Sequence, residues 1–171
     1  MTWREAFRQQ ALSDYAVFRH FTSRADIPVC HRLHYLQMAT EKLAKSLLLA
    51  GNNALEERSH YALVPLLRIL PGRPDIRARL KWADNARQFK TYIDKKVIPW
   101  AEKIQNLVPV GGSNRLNPEY PWLDGRGEVT CPAAHSFPEF SKEELIGFAT
   151  FILKRKVRES MSQIVGSTSP G

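Results

Sequence analysis

Apolar residues recur every three to four positions along most of the 171-residue chain, and this period predicts an all-α fold. Turn-forming residues divide the pattern into helical segments, because glycine, asparagine and proline pairs interrupt the period. Pro71 and Pro74 separate the third segment from the fourth. The expected helices cover residues 3–21, 26–50, 59–70, 74–97 and 142–165, with a further short piece to 107 after Pro99.

Capping signals support three of these helix starts. Thr2 with Glu5, and Ser141 with Glu144, have the spacing of a capping box, in which each side chain satisfies a backbone N–H of the first turn. Asp26 occupies the position of an N-cap before the second helix. We therefore expect four or five helices packed as one bundle over residues 1–165, followed by a disordered tail over 166–171.

Between residues 109 and 140 the helical period stops, and prolines, glycines and aromatic residues replace it. Long loops in compact domains are usually functional or disordered. Trp122, Phe137 and Phe140 favour order, since large aromatic side chains are costly to leave in water. We expect an ordered, irregular insertion that packs on the bundle before the last helix.

The last helix is apolar on two faces. Ile146, Ala149 and Leu153 form the stripe expected to face the core, while Phe148 and Phe151 point elsewhere. A second apolar face needs a cover, which is either the insertion or another subunit. We expect a homodimer that uses this helix.

Charge and composition restrict the class of protein more than its function. The chain has 25 Lys and Arg against 17 Asp and Glu, a net charge of +8 that favours acidic partners such as nucleic acids. Two cysteines are too few for a disulfide framework or a thiolate zinc site. The N-terminus has no apolar signal core and no segment nears the ~20 apolar residues of a membrane span, so a cytoplasmic protein without membrane contact is expected.

The second helix carries the most informative residues. Gln37, Glu41 and Lys45 lie on one face of it, a short loop follows, and then come His60 and the Leu66–Leu67 pair. Over residues 14–70 this pattern resembles the HEPN family of small helical domains. The resemblance implies a four- to five-helix bundle, commonly a dimer, that binds RNA or nucleotides. It also implies a nucleotidyltransferase as partner protein and a place in a toxin–antitoxin or defence pair.

Catalytic members of that family use an Arg followed after four to six residues by His, as a metal-independent ribonuclease site. Arg24 and His31 have this spacing, but they lie at the start of the second helix rather than on a late one. Such a histidine would move a proton of the ribose hydroxyl while the arginine holds the phosphate. The alternative is a surface arginine and a histidine at a helix end.

Gln37, Glu41, Lys45 and His60 allow two interpretations. They line a pocket that reads a nucleotide or RNA, or they form a structural network of hydrogen bonds beneath the insertion. His31 and His34, with Cys30 adjacent, have the spacing of two metal ligands, yet no further ligands are evident, and we expect neither metal nor cofactor. A dense basic patch on the last helix, formed by Lys154, Arg155 and Arg158, is the candidate phosphate-binding surface. The alternative is that these charges only interact favourably with the helix dipole near its C-terminus.

The sequence thus predicts an RNA- or nucleotide-binding protein without strong catalysis. Two alternatives stay open: a metal-independent endoribonuclease that uses Arg24 and His31, and a helical module that binds only protein.

Overall fold

The computed structural model describes residues 1–48, 61–107 and 116–153, and within them the fold is an all-α bundle, as the sequence predicts. The only β-strands in these ranges form a two-stranded hairpin. Among the described residues, no helix combines the length and the apolar character needed to cross a lipid bilayer. The helices are α1 (Trp3–Thr22), α2 (Val29–Leu48), α3 (Leu63–Ile69), α4 (Pro74–Arg79), α5 (Ala86–Tyr92), α6 (Ile98–Gln105) and α7 (Lys142–Leu153).

The long helices α1 and α2 form the most extensive helix pair of the bundle. The predicted capping box of α1 is confirmed, since Thr2 accepts from the Glu5 amide and the Glu5 carboxylate accepts from the Thr2 amide at 2.7 Å. The predicted N-cap of α2 is wrong. Helix α2 begins only at Val29, and the Asp26 carboxylate is held instead by the Arg24 guanidinium.

The core lies between α2 and the later helices. Leu36, Leu43 and Leu47, which the sequence assigns to the apolar stripe of α2, are all nearly inaccessible. They pack in one cluster with side chains of every other helix. The largest fully buried members of the cluster include Phe89, Phe137, Leu33, Leu66, Ile93, Ile104 and Ile152.

Helix α3 is shorter than the predicted 59–70. It begins at Leu63, so that Pro65 falls in the first turn, where a missing amide proton costs nothing. A 3₁₀ turn over Leu70–Gly72 then ends it, with Pro71 inside the turn. Residues 59 and 60 of the predicted helix lie outside the described ranges.

The predicted continuous helix over 74–97 is wrong, because the chain breaks between α4 and α5. Lys81 adopts a left-handed conformation with φ of 64°, and the Trp82 amide donates to the Arg77 carbonyl at 2.7 Å. This closes α4 in the manner of a Schellman cap. Helices α5 and α6 are then joined by a π-helical turn over Ile93–Val97, directly before Pro99, whose ring would crowd a regular α-helical turn.

The described part of the insertion packs on the bundle. Its hairpin pairs Trp122–Leu123 (β1) with Val129–Thr130 (β2) in antiparallel register, and Gly127 in the turn has φ of +79°. Trp122 and Phe137 are buried in contact with each other, and the ring of His135 makes edge-on contacts with both. The periodicity did not reveal the hairpin, since strands of two residues are too short to show alternation.

Helix α7 buries Ala149 and Leu153 of the expected stripe, but the stripe is displaced at its first member. Ile146 is 40% exposed, whereas Leu145 and Phe148 are buried. Phe151 packs edge-on against Tyr92, with the ring centroids 5.6 Å apart. Of the phenylalanines that suggested a dimer face, Phe148 is thus buried and Phe151 partly buried within one chain. Residues 154–165 of the predicted helix lie outside the described ranges.

Candidate functional site

A surface groove runs between α1 and α7. Its open part encloses about 680 Å³ near the end of α1 and the start of α7. A second depression of about 360 Å³ lies toward the start of α1, where α1 is joined by Leu43, Ser46 and Leu47 of α2 and by Leu153 of α7; it shares no lining residue with the first. We call the two together the basic groove; its charged lining residues are Arg4, Arg8, Arg19 and Lys142.

The spacing of residues on α1 places the groove wall on one face of that helix. Arg8, Tyr15, Arg19 and Thr22 are separated by seven, four and three residues, and these steps return to the same side of an α-helix. The buried ring of Phe18 forms the floor beside Tyr15, and the two rings stack with centroids 6.1 Å apart. The groove therefore combines an apolar, aromatic floor with a cationic rim.

All charged residues that line the groove are cationic, and no Asp or Glu belongs to its described lining. Arg8, Arg19 and Lys142 are exposed, and within the described ranges none of them forms an ion pair. Arg8 and Arg19 lie eleven residues apart on α1, which corresponds to roughly 16 Å along a helix. Arg8, Arg19 and Lys142 thus present positive charges that no acidic side chain among the described residues neutralises.

A recess of about 360 Å³ opens from the groove between Phe18 and Lys142. The recess is more enclosed than the open part of the groove near the end of α1, with Val29, Phe140 and Leu145 in its walls. Arg32 also lines it, and one terminal nitrogen of its guanidinium donates to the carbonyls of Arg24 (2.7 Å) and Ile27 (2.8 Å). The Arg32 Nε is buried and has no hydrogen-bond partner among the described residues.

The polar face of α2 that the sequence singles out lies elsewhere and is largely buried. Lys45 Nζ lies 2.7 Å from Glu41 Oε1, and both side chains are 10% exposed. Gln37 is 3% exposed, and its buried Nε2 has no hydrogen-bond partner within the described ranges. One helical turn before it, His34 Nδ1 lies 2.6 Å from Glu119 Oε1, so this end of the polar face meets the insertion.

Arg24 and His31 have different partners in the structure. Arg24 forms a bidentate pair with Asp26, with distances of 2.8 and 2.7 Å, and the guanidinium lowers the pKa of that carboxyl. The exposed ring of His31 makes an edge contact with Phe21 at 6.2 Å. A phosphate that sought Arg24 would therefore compete with an intact ion pair.

Several residues of the sequence hypotheses are not among those described. His60, Lys154, Arg155 and Arg158 lie outside the described ranges. Within those ranges, no three His, Cys, Asp or Glu side chains come close enough together to hold a metal ion. Cys30 is buried, and this burial raises the pKa of its thiol, whereas Cys131 is exposed.

The sequence hypotheses did not include Arg19, Arg32 or Lys142 as binding residues. A signal was present in α1, where arginines and a tyrosine recur on one face beside the apolar stripe. The pairing of that face with α7 is a tertiary feature, and the intervening sequence gives no sign of it.

Comparisons with known proteins give no further assignment, since no family model, no curated protein and no solved structure matches this chain. Function is therefore argued from the groove itself.

Proposed function

We propose that the protein binds single-stranded RNA in the basic groove between α1 and α7. The observation that carries the proposal is the sign of the lining, in which every described charged residue is cationic and Arg8, Arg19 and Lys142 have no ion-pair partner among the described residues. Such a surface attracts a polyanion through phosphate contacts and counterion release. A neutral or basic ligand would leave these charges unused.

The length of the groove favours a chain of phosphates over a single nucleotide. Its cations are spread along most of α1, from Arg8 to Arg19, and continue to Lys142 on α7. A mononucleotide would meet only one end of this array. Tyr15 offers a ring in the same groove, and base stacking on aromatic rings is typical of single-strand binding.

The HEPN resemblance over residues 14–70 supports RNA as the polyanion. With it we infer a homodimer and a nucleotidyltransferase as partner protein, as in a toxin–antitoxin or defence pair. Lys154, Arg155 and Arg158 follow directly in sequence after Leu153, which lines the far end of the groove. We assign those three residues to the same RNA contact, and we assign no strong catalysis to the protein.

Fluorescence anisotropy with a labelled single-stranded RNA tests the proposal across a range of salt concentrations. Each phosphate contact adds about 0.7 to the slope of log affinity against log salt for single strands. The double variant Arg19→Ala/Lys142→Ala should therefore lower that slope by about 1.4 and weaken binding at low salt.

A matched control removes the same charge elsewhere. Lys95 and Lys96 are exposed on the π-helical turn and do not line the groove. The variant Lys95→Ala/Lys96→Ala should bind RNA like the wild-type protein. An equal loss in both double variants would mean diffuse attraction to a basic surface, and affinity independent of salt would overturn RNA binding altogether.

A further inference from the structure

We infer that the recess beside the basic groove is a pocket for a terminal phosphate, so that the protein selects RNA ends carrying a phosphate monoester. The inference rests on the proposed RNA binding and names the end group that the groove accepts.

The shape of the recess admits an end of a chain rather than its middle. The part of the groove near the end of α1 is open to solvent, whereas the recess is narrower and is bounded by Val29, Phe140 and Leu145. Phe18, Thr22 and Lys142 border both spaces, so the recess continues directly from the groove. A strand that follows the groove into the recess must therefore stop there.

Two cations face this closed space. Lys142 stands at its mouth, and Arg32 lines its wall. Arg32 is held in place by the carbonyls of Arg24 and Ile27, while its buried Nε–H keeps an unused donor. A guanidinium fixed in this way binds a phosphate with little loss of side-chain freedom.

The charge of a terminal phosphate also matches the two cations of the recess. A terminal monoester carries about −1.5 to −2 at neutral pH, against −1 for a phosphodiester in the chain. The nearest acidic group of the α1–α2 loop is Asp26, which feels the charge of Arg32 but is paired with Arg24. Two cations in an enclosed space thus favour the more highly charged end group.

Binding of short RNAs that differ only at their ends tests the inference. The set comprises oligonucleotides with a 5′-phosphate, a 3′-phosphate or hydroxyls at both ends, and a hydroxyl-ended control that is one nucleotide longer. The longer control adds one charge without a monoester. One phosphorylated RNA should bind about tenfold more tightly than both hydroxyl-ended RNAs, and the position of its phosphate gives the direction of the strand.

Two variants separate the recess from the groove. Arg32→Gln removes the cation, and Val29→Phe fills the recess without changing any charge. Both should reduce the preference for the phosphate end to about onefold while the hydroxyl-ended RNA still binds. The second variant keeps the Arg32 contacts to the loop, so a loss of preference in it cannot be attributed to an unfolded loop.

Equal affinity of the wild-type protein for all four RNAs, with salt-dependent binding intact, would overturn the phosphate pocket and leave RNA binding in place. Wild-type preference that persisted in Val29→Phe would likewise overturn it. Absence of binding to every RNA would overturn the proposed function itself.

Discussion

The ion pair between Asp14 and Lys42 offers a direct measure of how α1 is held against α2. Lys42 Nζ donates to Asp14 Oδ2 at 2.6 Å, and Gln10 Nε2 donates to the other carboxylate oxygen at 3.0 Å. The two partners differ in burial, since the side chain of Asp14 is 7% exposed and that of Lys42 is 23% exposed. This difference predicts unequal effects of removing either partner.

Replacement of Lys42 by Met leaves a buried carboxylate with Gln10 as its one remaining side-chain donor. Loss of a partner for a charged, buried group costs about 2–3 kcal/mol. Asp14→Asn is milder, because the longer side chain of Lys42 can reach water and the Asn oxygen still accepts from Gln10. We expect about 1 kcal/mol for that variant.

Urea unfolding followed by circular dichroism measures both free energies, and the double variant completes the cycle. We expect a coupling energy of about 1–2 kcal/mol between the two residues. The exposed pair Lys90–Asp94 is the control, and its coupling should stay below about 0.5 kcal/mol. Equal costs for Lys42→Met and Asp14→Asn, or no coupling between them, would refute the assignment of a buried carboxylate at this helix contact.

Four further outcomes are expected. An alkylating reagent should modify Cys131 in the folded protein but Cys30 only after unfolding, because burial raises the pKa of the Cys30 thiol; mass spectrometry that found Cys30 modified first would contradict this. Because the pKa of Cys30 is higher in the folded protein than in the unfolded chain, the buried thiol stabilises the fold fully at pH values below the ordinary thiol pKa. The free energy of unfolding should therefore fall as the pH rises from the ordinary thiol pKa toward the raised pKa of the folded protein. Gly127→Ala should cost about 1–2 kcal/mol in urea unfolding through its positive φ, whereas Gly125→Ala should be nearly neutral; equal effects would contradict a left-handed turn. Phe137→Ala should cost about 3 kcal/mol and lower the single melting transition of the whole chain, and a separate early transition would contradict an insertion that shares the core.

The parts of the fold that follow from local pattern could be read from the sequence. The capping box at Thr2, the burial of Leu43 and the order of the segment around Trp122 all depend on neighbouring residues or on the cost of exposing apolar surface. The local sequence pattern predicted the wrong helix bounds where tertiary contacts determine the backbone conformation. The left-handed Lys81 breaks a helix that periodicity makes continuous, and no glycine marks the site.

The sequence could not predict the candidate groove for a similar reason. Its walls come from α1 and α7, which lie at opposite ends of the described chain, so no spacing rule relates Arg19 to Lys142. Sequence reasoning instead favoured Arg24 and His31, whose spacing matches a known motif. The structure shows that the Arg24 guanidinium is occupied by Asp26, a contact between residues two positions apart that a motif search does not weigh.

Photocrosslinking of a single-stranded RNA that contains a photoreactive uridine tests most directly whether RNA lies in the basic groove. Tryptic peptides linked to RNA are identified by mass spectrometry, and the peptide over residues 9–19 contains Tyr15. Crosslinks should concentrate on this peptide and on the α7 peptide that follows Lys142. Crosslinks confined to α4 and α5, with none on either groove peptide, would contradict the central claim.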